Sequence, residues 1–307
     1  MKLKLMGIAF GILALCFVAI WRLASLGEAV REVVLGFAAS LAGTIFAIAF
    51  LERYLERLLH RSSFRQTMGA AAAFWDVPRP QKKWTILFKG TPAIERDPQL
   101  RLSFPTLRAF LKISEVVKGL HGEVPVELRN ADEVEDWPAL MAGNVVLLGG
   151  YAKFPGLPGL HALLRLPLVQ KPGPAGPVVE VQAQGGTVQE LTTHVSGAAV
   201  TRDYAIVVRL VDPAAEASLL IFSGGEGVGT ACAVAAMTIA KHVDGLQFAS
   251  EVNYAVATAD GLIRGEYSAR SSSLAVSNVG SRMLTEKELA EVRVFLQTGG
   301  LAALRAD

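Results

Sequence analysis

The run Gly224-Gly225-Glu226-Gly227-Val228-Gly229-Thr230 is where this sequence comes closest to chemistry. It falls between an apolar stretch, Ser218 to Phe222, that reads as a buried strand and an Ala-rich stretch, Val228 to Val243, that reads as a helix. Small residues at a strand-to-helix turn leave backbone N–H groups bare. Those donors and the positive end of the helix dipole suit a phosphate or a carboxylate, so Gly224, Gly225, Gly227, Gly229 and Thr230 are candidate ligand residues. The spacing matches neither common nucleotide motif. No Lys follows the last glycine as in a P-loop, and Gly225-x-Gly227-x-Gly229 is one residue short of the dinucleotide fingerprint. The alternative is that the glycines only let strand and helix pack closely.

Other groups join this candidate. Gly149-Gly150 ends a second apolar run, Asn144 to Leu148, and forms the other lip of a cleft if the two strands are parallel neighbours. Glu251 follows Gly229 at about the separation of 20 residues expected of a ribose-binding acid. Its alternative is a solvated carboxylate at a strand end. Glu226 and Asp203 are the candidate bases for any reaction on a bound sugar, each otherwise an ordinary surface acid. The five histidines are scattered without neighbouring Cys or acid at metal-ligand spacing, which argues against a zinc site. Cys16 and Cys232 do not suggest a disulfide, and a net charge of +2 gives no reason to invoke nucleic acid.

The elements that must position these residues alternate strand and helix over residues 81–307. Strands are expected at Trp84 to Phe88, Val124 to Leu128, Asn144 to Leu148, Val178 to Gln182, Val188 to Thr193, Tyr204 to Leu210, Ser218 to Phe222, Val252 to Ala257 and near Leu262 to Tyr267. Helices are expected at Leu102 to Val117 and Asp132 to Met141, with one more opening at Thr285, where Glu288 completes a capping box. The expected fold is an α/β, Rossmann-like, three-layer domain with a mainly parallel sheet. Residues 151–177, dense in Pro and Gly, read as a lid, a partner surface or a mobile loop.

Two uncharged stretches precede this domain, Leu5 to Trp21 and Val33 to Leu51. As helices they extend roughly 25 and 28 Å, near the thickness of a bilayer core. They therefore suggest a transmembrane hairpin over residues 1–64, with a stalk helix at its end and a linker over 65–80. Lys2, Lys4, Arg53, Arg57, Arg61 and Arg65 flank the spans and place both termini in the cytoplasm of a bacterial inner membrane. A cleaved signal peptide is the alternative for the first stretch. Gly7 and Gly11, with Gly36, Ser40 and Gly43, suit close helix packing, either within the hairpin or in a homo-oligomer through the spans.

A strand ending in Gly-Gly, the Asp203-Tyr204 pair opening a later strand, and Gly227 to Thr230 after a strand together resemble a group of uncharacterised bacterial Rossmann-like domains. The departure is Ala205, where that group has glycine. Two spans ahead of such a head are similar to the layout of nucleotide-sensing effectors in bacterial defence. The resemblance implies a membrane-anchored sensor or effector that binds a small anionic ligand such as a nucleotide, with the bilayer as its other partner. The alternatives are a nucleotide or nucleotide-sugar hydrolase or transferase using Glu226 or Asp203, and a membrane-tethered scaffold that recruits a protein through residues 151–177.

Overall fold

The structure is a computed structural model that describes residues 28–90, 103–173, 176–182, 187–196, 199–243, 248, 250–260 and 273–302. The chain divides into two compact units, residues 1–62 and 63–307.

The described part of the first unit is helical. It belongs to α1, which runs unbroken over Glu28–Met68. Among the described residues no helix is long and apolar enough to cross a membrane. That finding overturns the two-span hairpin, and with it the placement in a bacterial inner membrane with both termini cytoplasmic. The residues that were expected to end one span and begin a stalk form a single uninterrupted element instead. The apolar stretch 33–51 is the middle of one continuous helix that opens with Glu28, Arg31 and Glu32 and continues through Glu52, Arg53, Glu56, Arg57, Arg61 and Arg65. The first stretch, Leu5 to Trp21, lies outside the described residues.

In the second unit the chain from Ser63 to Val77, expected to be mostly linker, contributes to the core instead. Met68, Phe74 and Trp75 are buried, and the Trp75 indole N–H donates to Met237 O at 2.9 Å. A short helix, α2 (Ala71–Phe74), precedes β1 (Trp84–Phe88), α3 (Phe104–His121), β2 (Val126–Asn130), α4 (Trp137–Met141) and β3 (Asn144–Leu148). Next come α5 (Leu157–Leu163), β4 (Leu168–Gly173), β5 (Gly176–Gln182), β6 (Val188–Thr192), β7 (His194–Ser196) and β8 (Ala199–Asp212). The described chain finishes with β9 (Ala217–Gly224), α6 (Gly227–Ala236), α7 (Ala240–Val243), β10 (Val252–Asp260), β11 (Ser273–Arg282) and α8 (Glu286–Gln297). The strand anticipated near Leu262 to Tyr267 lies outside the described residues.

The main sheet has the order β11-β10-β8-β9-β3-β1-β2, with β7 pairing β8, and it is mixed. β2, β1, β3 and β9 pair in parallel, whereas β9, β8, β10 and β11 pair antiparallel. The short turn between β8 and β9 explains the change of sense, because a link of a few residues can only reverse the chain. Alternation along β9 builds two cores. Leu220 and Phe222 face α2, α3 and α6, while Leu219 and Ile221 face α4, α5, α8 and the small antiparallel sheet β4-β5-β6.

Among the described residues of 151–177 the chain is packed rather than an open lid. Phe154, Leu157, Leu160, Leu164 and Leu168 are buried in the second core, so the Pro and Gly residues punctuate packed structure. The expected 132–141 helix is divided, because Asp136 rather than Asp132 caps α4, accepting from Ala139 N–H at 2.9 Å. The Ala-rich helix stops at Met237, where Thr238 turns its hydroxyl onto Ala235 O at 2.7 Å. The capping box of Thr285 and Glu288 forms as expected.

Candidate functional site

Both glycine turns lie at the carboxyl ends of neighbouring parallel strands. β3 and β9 pair with Leu148 beside Phe222, and Gly149 N–H continues the ladder to Phe222 O at 3.1 Å. Gly149 has φ of +142°, a region that glycine enters without strain. A Cβ on Gly150 would stand 2.6 Å from Gly224 O, so the two turns touch. Gln170, buried on β4, ties them together. Its Oε1 accepts from Tyr151 N–H at 3.1 Å and from the Ser223 hydroxyl at 2.6 Å, and its Nε2 donates to Gly224 O at 3.0 Å.

The amides of the 224–230 turn are largely occupied by the protein itself. Asp203, wholly buried on β8, directs its carboxylate into the turn. Oδ2 accepts from Glu226 N–H at 3.1 Å and Gly229 N–H at 2.7 Å, while Oδ1 accepts from the Thr193 hydroxyl at 3.0 Å and Tyr204 N–H at 2.9 Å. Gly224 N–H donates to Thr230 Oγ1 at 3.1 Å, and Gly225 N–H to Tyr204 O at 2.9 Å. The dipole of α6 thus meets a carboxylate, as sequence reasoning anticipated, but that carboxylate is internal. It also explains the glycines: a Cβ at Gly229 would overlap Asp203 Oδ2, and one at Gly225 would lie 2.7 Å from Oδ1.

Burial pushes the Asp203 carboxyl up to about 6, against the pull of its hydrogen bonds from Thr193, Tyr204, Glu226 and Gly229. With every one of these contacts made and no surface exposed, Asp203 is not free to act as a base on a ligand. Glu226 is exposed at the N-cap of α6, with no side-chain capping bond. Glu251 is at the far end of the sheet. Its carbonyl accepts from Val211 N–H at 2.8 Å, and the next residue pairs with Leu210, whereas Gly224 pairs with Ala205. Five residues of strand, roughly 17 Å, separate the two ends.

Lys153, a residue that sequence reasoning missed, lies beside the glycine turns. It is half-buried, and its stem lies against Gly149, whose Cβ position is 3.1 Å from Lys153 Cδ. Burial lowers the Lys153 ammonium from its ordinary value, offset by the charge of Glu226. Gly227 faces the start of α3, with its Cβ position 3.5 Å from Pro105, and Ser103 caps that helix by accepting from Thr106 N–H. Two helix N-termini, a lysine and an exposed carboxylate therefore surround the turns. Cys232, one helical turn past Gly229, is buried; burial, then the Asp203 charge, push its thiol up to about 11, which leaves it unreactive as a nucleophile. Among the described residues no group of His, Cys, Asp and Glu could hold a metal ion.

Compared with known protein families and with curated proteins, the chain matches none.

Proposed function

We propose that the unit over residues 63–307 binds a small anionic ligand, with nucleotides the first class to test, across the carboxyl ends of β1, β3 and β9. The observation that carries this reading is Lys153, an ammonium held partly out of water beside the paired glycine turns. Keeping a cation half-desolvated costs free energy that an incoming anion would recover. The course of the chain supports the same place. The connection leaving β1 enters α3 on one face of the sheet, while that leaving β3 packs Phe154 and Leu157 on the other, which opens the kind of crevice where ligands collect in α/β sheets. In this reading Gly149, Gly150, Gly224, Gly225, Gly229 and Thr230 form the floor, Gly227 stands outside it against Pro105, and Lys153 supplies the charge. The bound amides of the turn are not the donors.

Catalysis finds no comparable support, because Asp203 is engaged and Glu226 stands in solvent. Recruitment of a protein through residues 151–177 has less support, since Phe154, Leu157, Leu160, Leu164 and Leu168 are packed inside. The test is equilibrium binding of fluorescent adenine and guanine nucleotides to the full chain, with inorganic pyrophosphate as competitor. Saturable binding displaced by pyrophosphate is expected. Absence of saturation for every nucleotide and for pyrophosphate would refute the proposal.

A further inference from the structure

At the end of the sheet away from the glycine turns, α4, α8 and the β8–β9 turn enclose a cavity of about 100 Å³. Its floor is Leu210, Leu219, Val292 and Leu296, all buried, and its mouth is formed by the exposed Ala142, Ala215 and Gln297. One wall is polar but already satisfied. Asp212 takes a forked contact from the Arg293 guanidinium, with Nη2 to Oδ1 at 2.6 Å, and its Oδ1 also accepts from Ala215 N–H at 3.0 Å. Burial pushes the Asp212 carboxyl up, but those bonds outweigh it and hold it below the usual carboxylate range, so the pair is ionised and mutually neutralised. A charged guest would lose its hydration and meet no unbalanced charge there.

Protein interiors are close-packed, and the apolar walls of an unfilled cavity forfeit contacts that a guest would restore. Water gains little in such a space without two or more polar partners, whereas dry apolar cavities of about 150 Å³ take up benzene. We propose that this cavity is a second binding site, one that takes a small uncharged apolar molecule between benzene and indole in size. The guest lies against the Leu and Val side chains, and any single polar group it carries points to the mouth at Gln297.

The test is an NMR titration of the methyl-labelled full chain with indole. Saturable shifts confined to the methyls of Leu210, Leu219, Val292 and Leu296 are expected. Ala217 is buried and also lines the cavity; Ala217→Leu, which fills it, and Ala142→Trp, which blocks the exposed mouth, should each weaken binding at least tenfold. The mouth variant keeps the test decisive if the floor variant misfolds, because Ala142 is outside the core. No saturable shift in the wild type, or an unchanged indole affinity in Ala142→Trp, would overturn the proposal.

Discussion

Replacing Asp203 probes the centre of the fold, because one side chain satisfies donors from three segments. Asp203→Ala strands the N–H groups of Tyr204, Glu226 and Gly229 and the Thr193 hydroxyl. Each buried donor left unpaired costs about 1–3 kcal/mol, and the lost charge at the N-terminus of α6 up to about 2 kcal/mol more. Against this stands the desolvation of the carboxylate. A carboxyl raised from 3.8 to about 6 carries roughly 3 kcal/mol of penalty in its ionised form. With four donors at the low end of that range set against this penalty, the net expectation is a loss of at least about 1 kcal/mol for Asp203→Ala at neutral pH. The sign with pH follows from proton binding. Between pH 3.8 and 6 the folded state holds more protons at this site than the unfolded one, so the contribution of Asp203 falls as pH rises through that window. Urea denaturation of wild type and Asp203→Asn at pH 4.5 and 7.5 reads this directly, and the wild-type advantage should be greater at pH 4.5. In Asp203→Gly, acetate should restore part of the lost stability by occupying the vacated cradle, with chloride at equal ionic strength as the control. A loss below about 0.5 kcal/mol for Asp203→Ala, or an advantage that grows with pH, would show that the hydrogen bonds do not do what their geometry implies.

Three further outcomes follow from other buried groups. Among the described residues His161 has no hydrogen-bond partner on either ring nitrogen, and burial lowers it to about 4, so stability should drop by about 3 kcal/mol as pH falls from 6.5 to 4; His161→Leu should flatten that part of a denaturation-versus-pH curve. The Arg209 guanidinium donates to Phe74 O, Asp76 O and Asn253 Oδ1, and Arg209→Ala should cost about 3–5 kcal/mol in urea, with Arg209→Lys recovering little because an ammonium cannot reproduce the fork. Gln170→Leu frees both glycine turns from β4; faster amide exchange at Tyr151 and weaker nucleotide binding should appear together in hydrogen-exchange and binding measurements.

Much of the α/β layout was legible because its signals are local. Trp84–Phe88, Asn144–Leu148 and the centre of β9 are continuous apolar runs, and the Thr285 to Glu288 capping box is complete within four residues. The position of the glycine turn between strand and helix was also legible. Its occupant was not, since Asp203 arrives from a strand more than twenty residues upstream and is buried only because β8 and β9 pair. Composition alone makes an Asp a surface residue by default. Lys153 escaped notice for the same reason, its significance being set by burial against Gly149 rather than by any motif. The antiparallel half of the sheet depended on the length of the β8–β9 link, which an alternating strand and helix pattern does not weigh. The expected membrane hairpin rested on isolated apolar windows, whereas the helix that forms at 28–68 joins such a window to charged turns on both sides.

The place of the anion is tested most directly by calorimetric titration of the full chain with ADP, which compares Lys153 with the glycine turn. Lys153→Gln should weaken saturable binding at least tenfold, while Gly227→Ala, whose added methyl meets Pro105 at an ordinary 3.5 Å, should leave it nearly unchanged. Binding that survives Lys153→Gln but is lost in Gly227→Ala would rule out Lys153 as the anchor and return the ligand to the glycine turn.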